Sequence, residues 1–297
     1  MYILGLHFAN DAAAALIDEN GIIAAVAEER FARVKHYAGW PGQSLQHCLD
    51  TAGITLADVG AVAFSWNPAV YMDTVLRRHN NWRHQTEFLA AVPNQLLPML
   101  SKLGECTHVE QSFQFTGRNE PLRIFFVTHH LAHAASSFYV SPFDEAAVLT
   151  VDGYGERTSV LMQHGRGVDF EEVGRVEFPH SLGALYAAVT TYLGFRANSG
   201  EGKVMGLASY GEPRYLDTFR KMVKLEPGGK FELDLSYFSY FLERPKRYTK
   251  KLVDALGPER APESELEQRH MDIAASLQAS LEEVYDHMFA HMASVTG

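Results

Sequence analysis

His129 and His133 stand four residues apart in the segment THHLAHA. On a helix that spacing puts both imidazoles on one face, and two imidazoles so placed suit a single metal ion. Ala132, Ala134 and Ala135 leave room beside them. The spacing by itself serves equally well for a helix start whose histidines cap, pack or face solvent. A second group is VDGYGE, with Asp152, Gly153, Gly155 and Glu156. An acidic residue at a strand end followed by glycines can ligate a metal while its loop offers backbone N–H groups to a phosphate. The competing reading is a turn in which Asp152 bonds its own backbone. A third group is NSGEGKVMGL, where glycines permit close backbone approach and Lys203 can neutralise a phosphate, with Gly206 three residues on. It lacks the spacing of a Walker loop, and a plain loop before a strand fits it as well. Glu28, Glu29, Arg30, Arg33, Lys35 and His36 form a charged run of the kind that is usually solvated. Because it follows an apolar strand directly, a cleft-lining role for its first residues is the competing reading.

The elements that position these groups alternate between strand and helix. Residues 2–6, 13–17 and 22–27 read as strands, with Asn20-Gly21 as the hairpin turn between the last two. Residues 147–151, 159–163 and 168–176 repeat the pattern, with the turn at 164–167. His7 and Asp11 sit four apart after the first strand of one unit, as Asp152 and Glu156 do in the other. The repeat predicts two similar subdomains. Pro41 opens a helix carrying Leu45, Cys48, Leu49 and Ala52 on one face, and Gly53 ends it. Residues 59–64 and 123–127 are strands, and 68–120 read as a helical, substrate-facing insertion. Helices are expected at 130–139 and 181–195, and a glycine-punctuated turn at 203–211. Ser264 and Glu267 form a capping-box pattern. The helix that follows carries Ile273, Leu277, Leu281, Val284, Met288 and Met292 as one stripe.

The chain of 297 residues is 46% hydrophobic and has a formal net charge of −10. A broad nucleic-acid surface is not expected at that charge. Two cysteines, Cys48 and Cys106, far apart, fit a reducing compartment and no disulfide framework. No apolar run reaches membrane-span length. A cytoplasmic α/β protein is expected, with no membrane or nucleic-acid partner.

The stretches GLHFANDAAAAL, AEERFARVKH, THHLAHAASSFY, VLTVDGYGE, SLGALY and GKVMGLASYGEP occur in order over residues 1–213. Together they resemble the O-carbamoyltransferase family of nodulation-factor, aminoglycoside and ansamycin biosynthesis. That family is related to the metal-dependent proteins of tRNA threonylcarbamoyl transfer. The resemblance implies a duplicated actin and sugar-kinase fold. It implies ATP and carbamoyl phosphate as co-substrates, converted to carbamoyladenylate by a C-terminal domain. The acceptor is a hydroxyl-bearing small molecule of sugar, aminoglycoside or polyketide type. His129, His133 and Asp152 match the family's metal ligands, which implies a divalent ion of Fe²⁺ type as cofactor. Gly153, Gly155, Glu156, Lys203 and Gly206 match its nucleotide and phosphate contacts. Asn10 and Asp11 match its catalytic pair, but the family carries histidine where Asn10 stands. Asparagine cannot act as a base at neutral pH. An impaired site, an engineered change and another residue in the role all fit, with His7 a weak substitute. The family chain is also longer. Subdomains are therefore expected at 1–145 and 146–297, the second truncated before its final strands, with the fourth metal ligand and the adenylating domain beyond residue 297. A homodimer or a partner chain would supply the missing half. The rival expectation is a non-catalytic subunit or pseudoenzyme of the same fold. An actin-type kinase is a more distant reading, because such kinases hold Mg²⁺ through phosphates and carboxylates.

Overall fold

The computed structural model describes residues 1–8, 11–67, 108–113, 120–241 and 247–297. The chain is mixed α/β and divides into two compact units, the described part of the first ending at Ala132 and the second running from His133 to Gly297. The division falls earlier than residue 145, inside one helix.

The first unit holds β1 (Tyr2–His7), β2 (Ala13–Asp18), β3 (Gly21–Ala27), α1 (Glu29–Ala32), α2 (Gly42–Ala52), β4 (Val59–Phe64), β5 (His108–Phe113) and β6 (Leu122–Val127). Among the described residues its sheet has the order β3-β2-β1-β4-β6-β5. β1, β4 and β6 run parallel, while β2, β3 and β5 are antiparallel to their neighbours. Alternation along β1 and β2 sends Leu4, Leu6, Ala14 and Leu16 to one face, where they pack with Cys48 and Leu49 of α2 and with Val59 and Val62. Each fully buried leucine contributes about 1.5–3 kcal/mol. α2 begins after Pro41 and ends at Gly53, whose φ of 67° is the left-handed cap that glycine supplies cheaply. The expected insertion at 68–120 lies largely outside the described residues, but 108–113 is not helical: it is the edge strand β5, paired along its length with β6.

α3 (His129–Phe138) carries the boundary between the units. The second unit continues with β7 (Glu145–Val151), β8 (Thr158–Arg166), β9 (Asp169–Glu177), α4 (Leu182–Tyr192), α5 (Glu201–Ala208), α6 (Leu216–Met222), β10 (Val223–Glu226), β11 (Lys230–Leu233), α7 (Lys250–Leu256) and α8 (Gln268–Thr296). β7, β8 and β9 form an antiparallel meander. Its second turn lies at Gly167, φ 57°, rather than over 164–167, because β8 stays paired with β9 as far as Arg166. The main core joins β8 and β9 to α4, α5, α6 and α8, with Tyr192, Phe219, Ile273, Leu277 and Met288 fully buried. The α8 stripe is the expected one, with Leu281 only partly buried.

Two local expectations are corrected. Residues 201–208 are a helix, not a turn. Val204 and Leu207 bury one face of it, and that packing outweighs the roughly 1 kcal/mol that each of Gly202 and Gly206 costs a helix. The capping box of α8 is formed by Glu267 and His270, three residues beyond the expected Ser264. Ser264 instead turns back to bond the Ala261 carbonyl through its hydroxyl, at 2.8 Å.

Candidate metal centre and adjoining cavity

α3 is docked on the β7–β9 meander by Ala134 and Phe138, which pack with Val148, Ala146 and Phe170. Gly165 of β8 clears space for the Phe138 ring, since a Cβ there would lie 3.1 Å from it. This seats the helix so that the His133 Nε2 lies 3.4 Å from Asp152 Oδ2 at the end of β7. His129 is one turn earlier on the same helix. One ligand atom from each of His129, His133 and Asp152 lies within 4.8 Å of the others. The triad thus belongs to a single helix and the strand end against it. Bonds to a first-row ion run about 2.0–2.2 Å, so small rotamer adjustments bring the three donors to one ion. Two imidazoles and a carboxylate are a fitting donor set for such an ion. Both His133 and Asp152 reach solvent, with side chains 51% and 40% exposed.

Asp152 is held by its loop. Its N–H donates to the Ser159 carbonyl at 2.9 Å, and its Oδ1 accepts from the Gly153 N–H at 2.5 Å. The self-bonded turn and the ligand are therefore one arrangement: Oδ1 fixes the loop and Oδ2 faces His133. Ser181 caps α4, accepting from the Ala184 N–H at 3.0 Å. Its hydroxyl also reaches the Gly153 carbonyl at 2.7 Å and the Asp152 carbonyl at 3.2 Å. Gly183 completes the join, because a Cβ there would sit 2.8 Å from the Gly153 nitrogen.

Beside this loop the second unit contains a cavity of about 390 Å³. Val151, Leu182, Met205, Leu281 and Tyr285 give it apolar walls, and Asp152, Tyr186, Glu201 and Gln278 bring polar groups. The Tyr186 hydroxyl is 3.5 Å from Gln278 Oε1. Burial, and then the Glu201 charge, push its pKa up to about 12, so it remains a neutral donor at physiological pH.

The residues expected to bind phosphate are spread out. Gly153 lines the cavity; Gly155, Glu156, Lys203 and Gly206 are not among its lining residues. The Gly155 N–H is engaged by the Thr158 carbonyl at 2.7 Å. Glu156 is buried. The Lys203 ammonium lies 5.9 Å from the centre of the Phe195 ring, and Gly206 is inside α5. Spacing alone gives Ser181, Gly183, Tyr186 and Gln278 no role in the site, and Glu201 enters only as part of the NSGEGKVMGL segment. The serine cap followed by glycine in SLGALY was the available signal.

In the first unit, His7 Nδ1 is 2.7 Å from Ser65 Oγ, and His36 Nδ1 is 2.8 Å from Asp11 Oδ1. The Trp66 and His129 rings meet edge to face at 5.9 Å. Asn10 lies outside the described residues.

The family described as Carbamoyltransferase N-terminus matches residues 2–295, and the chain belongs to it. The uncharacterized protein sll1178 of Synechocystis is 41% identical over 95% of this chain and 47% of its own length. Nodulation protein NolNO of Sinorhizobium fredii is 33% identical over 98% of this chain and 39% of its own. Nodulation protein NolO of Bradyrhizobium diazoefficiens is 34% identical over 58% and 29% respectively. The chain therefore spans less than half the length of these relatives. A solved structure, YeaZ from Pseudomonas aeruginosa, aligns over 60% of this chain and 66% of its own at 13% identity and a TM-score of 0.22, and no argument rests on it. Among the described residues no helix is long and apolar enough to cross a membrane.

Proposed function

We propose that this chain is the amino-terminal part of an ATP-dependent O-carbamoyltransferase with a duplicated actin and sugar-kinase type of fold. It moves a carbamoyl group from carbamoyladenylate, made from carbamoyl phosphate and ATP, to a hydroxyl of a small-molecule natural product. The observation that carries this reading is the triad of His129, His133 and Asp152 sharing the Asp152–Gly153 loop with a cavity. A divalent ion, Fe²⁺ by resemblance, would be held by the triad and would supply Lewis-acid polarisation of the carbamoyl or phosphate oxygens.

The cavity suits a nucleoside. Apolar walls accept a flat base, and the Glu201 carboxylate, an acceptor only, suits ribose hydroxyls. The Gly153 loop would bring the nucleotide phosphates towards the triad, and of the phosphate contacts implied by the resemblance it is Gly153 that lines the cavity. Asp11, beside position 10, belongs to the acceptor side.

Metal analysis after anaerobic purification tests the centre. One equivalent of iron in the wild type, lost in His133→Ala without unfolding, supports it; no metal in the wild type rejects it. Mass spectrometry with the intact polypeptide, carbamoyl phosphate and ATP tests the reaction. A second reading, a pseudoenzyme that works beside a partner chain, is favoured by Asn10 standing where the family has histidine. It predicts bound metal with no carbamoylated product.

A further inference from the structure

We propose that His36, oriented by Asp11, takes the proton from the attacking hydroxyl. The inference rests on the carbamoyl-transfer reading and assigns the base that Asn10 cannot provide.

The pair has the geometry of an aimed imidazole. Asp11 Oδ1 and His36 Nδ1 are 2.8 Å apart. A carboxylate only accepts, so the proton between them sits on Nδ1 and leaves the Nε2 lone pair as the basic site. Nε2 is itself shielded from solvent and has no hydrogen-bond partner. A shielded ring nitrogen left unmatched calls for an explanation. An imidazole with one nitrogen anchored to a carboxylate and the other left unpaired to take a proton is the arrangement that activates hydroxyl nucleophiles on unrelated folds.

The backbone is shaped around this contact. Asp11 has φ 63° and His36 has φ 56°, both in the left-handed region although neither is glycine. Such conformations persist where surrounding bonds over-determine them, and they cluster at functional sites. The bonds are present. The Ala12 N–H donates to the Tyr37 carbonyl at 3.0 Å, and the Glu28 N–H donates to the Ala12 carbonyl at 2.8 Å. The His36 N–H donates to Glu29 Oε2 at 3.1 Å. A surface ion pair alone would not warrant two strained residues, since such pairs contribute little.

The location fits an acceptor site. Asp11 follows β1, Ser65 and Trp66 follow β4, and His129 follows β6. These three strands are parallel, so all four residues lie past the same, carboxyl edge of the first unit's sheet. Ligands of parallel sheets collect at that edge.

In the step, His36 Nε2 takes the hydroxyl proton as the oxygen bonds to the carbamoyl carbon. The bond from that carbon to the adenylate phosphate oxygen breaks, and AMP leaves with the electron pair. The products are an O-carbamate and AMP, and the imidazolium returns its proton to water. Glu29 contacts the His36 amide and pairs with Arg30, Glu28 is tied to the first turn of α2, and Arg33 and Lys35 stand in the adjoining chain.

The test uses the intact polypeptide with ATP and carbamoyl phosphate, and with methyl glucoside, chitotetraose and kanamycin as probe alcohols. Both O-carbamate and AMP are measured. His36→Gln is expected to lower kcat by about 10²–10⁴-fold, with the KM for carbamoyl phosphate and the unfolding temperature unchanged. Asp11→Asn lowers kcat in the same direction. Added imidazole restores rate to His36→Ala, which a structural role would not permit. If AMP forms without O-carbamate, water is the acceptor and the same ratios apply to AMP release. Full rate in His36→Gln, or a loss confined to KM without imidazole rescue, overturns the assignment. A wild type that makes neither product overturns the carbamoyl-transfer reading, and the base assignment falls with it.

Discussion

Ser181→Ala isolates the clamp on the metal-side loop. The hydroxyl is fully buried, caps α4 and holds the Gly153 carbonyl. Loss of the cap costs about 1 kcal/mol. A buried carbonyl left without its donor adds about 1–3 kcal/mol. The sum is about 2–4 kcal/mol, and at roughly 2–4 °C per kcal/mol for a unit of this size the second unit should unfold about 4–16 °C lower. The same change frees the loop that aims Asp152 Oδ2 at His133. Removing such a support weakens metal binding by about 10–100-fold. Calorimetric unfolding and Co²⁺ titration of the wild type and variant read the two effects separately. An unfolding temperature within 1 °C of wild type, or an unchanged Co²⁺ affinity, would refute the argument that Ser181 holds both helix and loop.

Gly211→Ala should strongly destabilise the second unit, since the new Cβ would lie 2.1 Å from the Met271 carbonyl oxygen; yield and unfolding temperature check it. His133→Ala removes a half-exposed side chain and should move stability by no more than about 0.5 kcal/mol while abolishing Co²⁺ binding in the same titration. Glu201→Gln should weaken binding of a non-hydrolysable ATP analogue with little change in unfolding temperature, measured by calorimetry. Glu28 is buried, and although desolvation raises its pKa, the bonds from Ser44 and Gln43 together bring it below the usual value. Its stabilisation is therefore full above the unfolded carboxylate range and fades as pH falls through the lower folded value. Glu28→Gln should cost about 1.5–3 kcal/mol at pH 7 and flatten the acid side of a stability-against-pH curve.

Where spacing and chemistry act locally, the sequence was a good guide. The i, i+4 histidines do share a helix face, Gly53 does end α2, and the α8 stripe does face a core. Both three-stranded meanders were visible from alternation and turn residues. Contacts between distant segments were not. Nothing near Gly183 indicates that another loop passes against it, and nothing in 201–208 reveals the buried face that keeps two glycines helical. Register was also hidden: the cap of α8 moved three residues because Glu267 and His270 satisfy each other. β5 escaped notice because an edge strand is defined by its neighbour, β6.

The Glu28 carboxylate has a consequence for timing. It receives the Gln43 N–H at 3.1 Å and the Ser44 N–H at 2.7 Å. These are first-turn amides of α2, of the kind no carbonyl of their own helix can reach. Amides at such positions ordinarily trade deuterium soonest. Here they are tied to a carboxylate 15 and 16 residues away in sequence, so they open only when the first unit's β3–α2 corner comes apart. In deuterium labelling, Gln43 and Ser44 should therefore exchange late for helix-start amides, reporting the opening free energy of that corner.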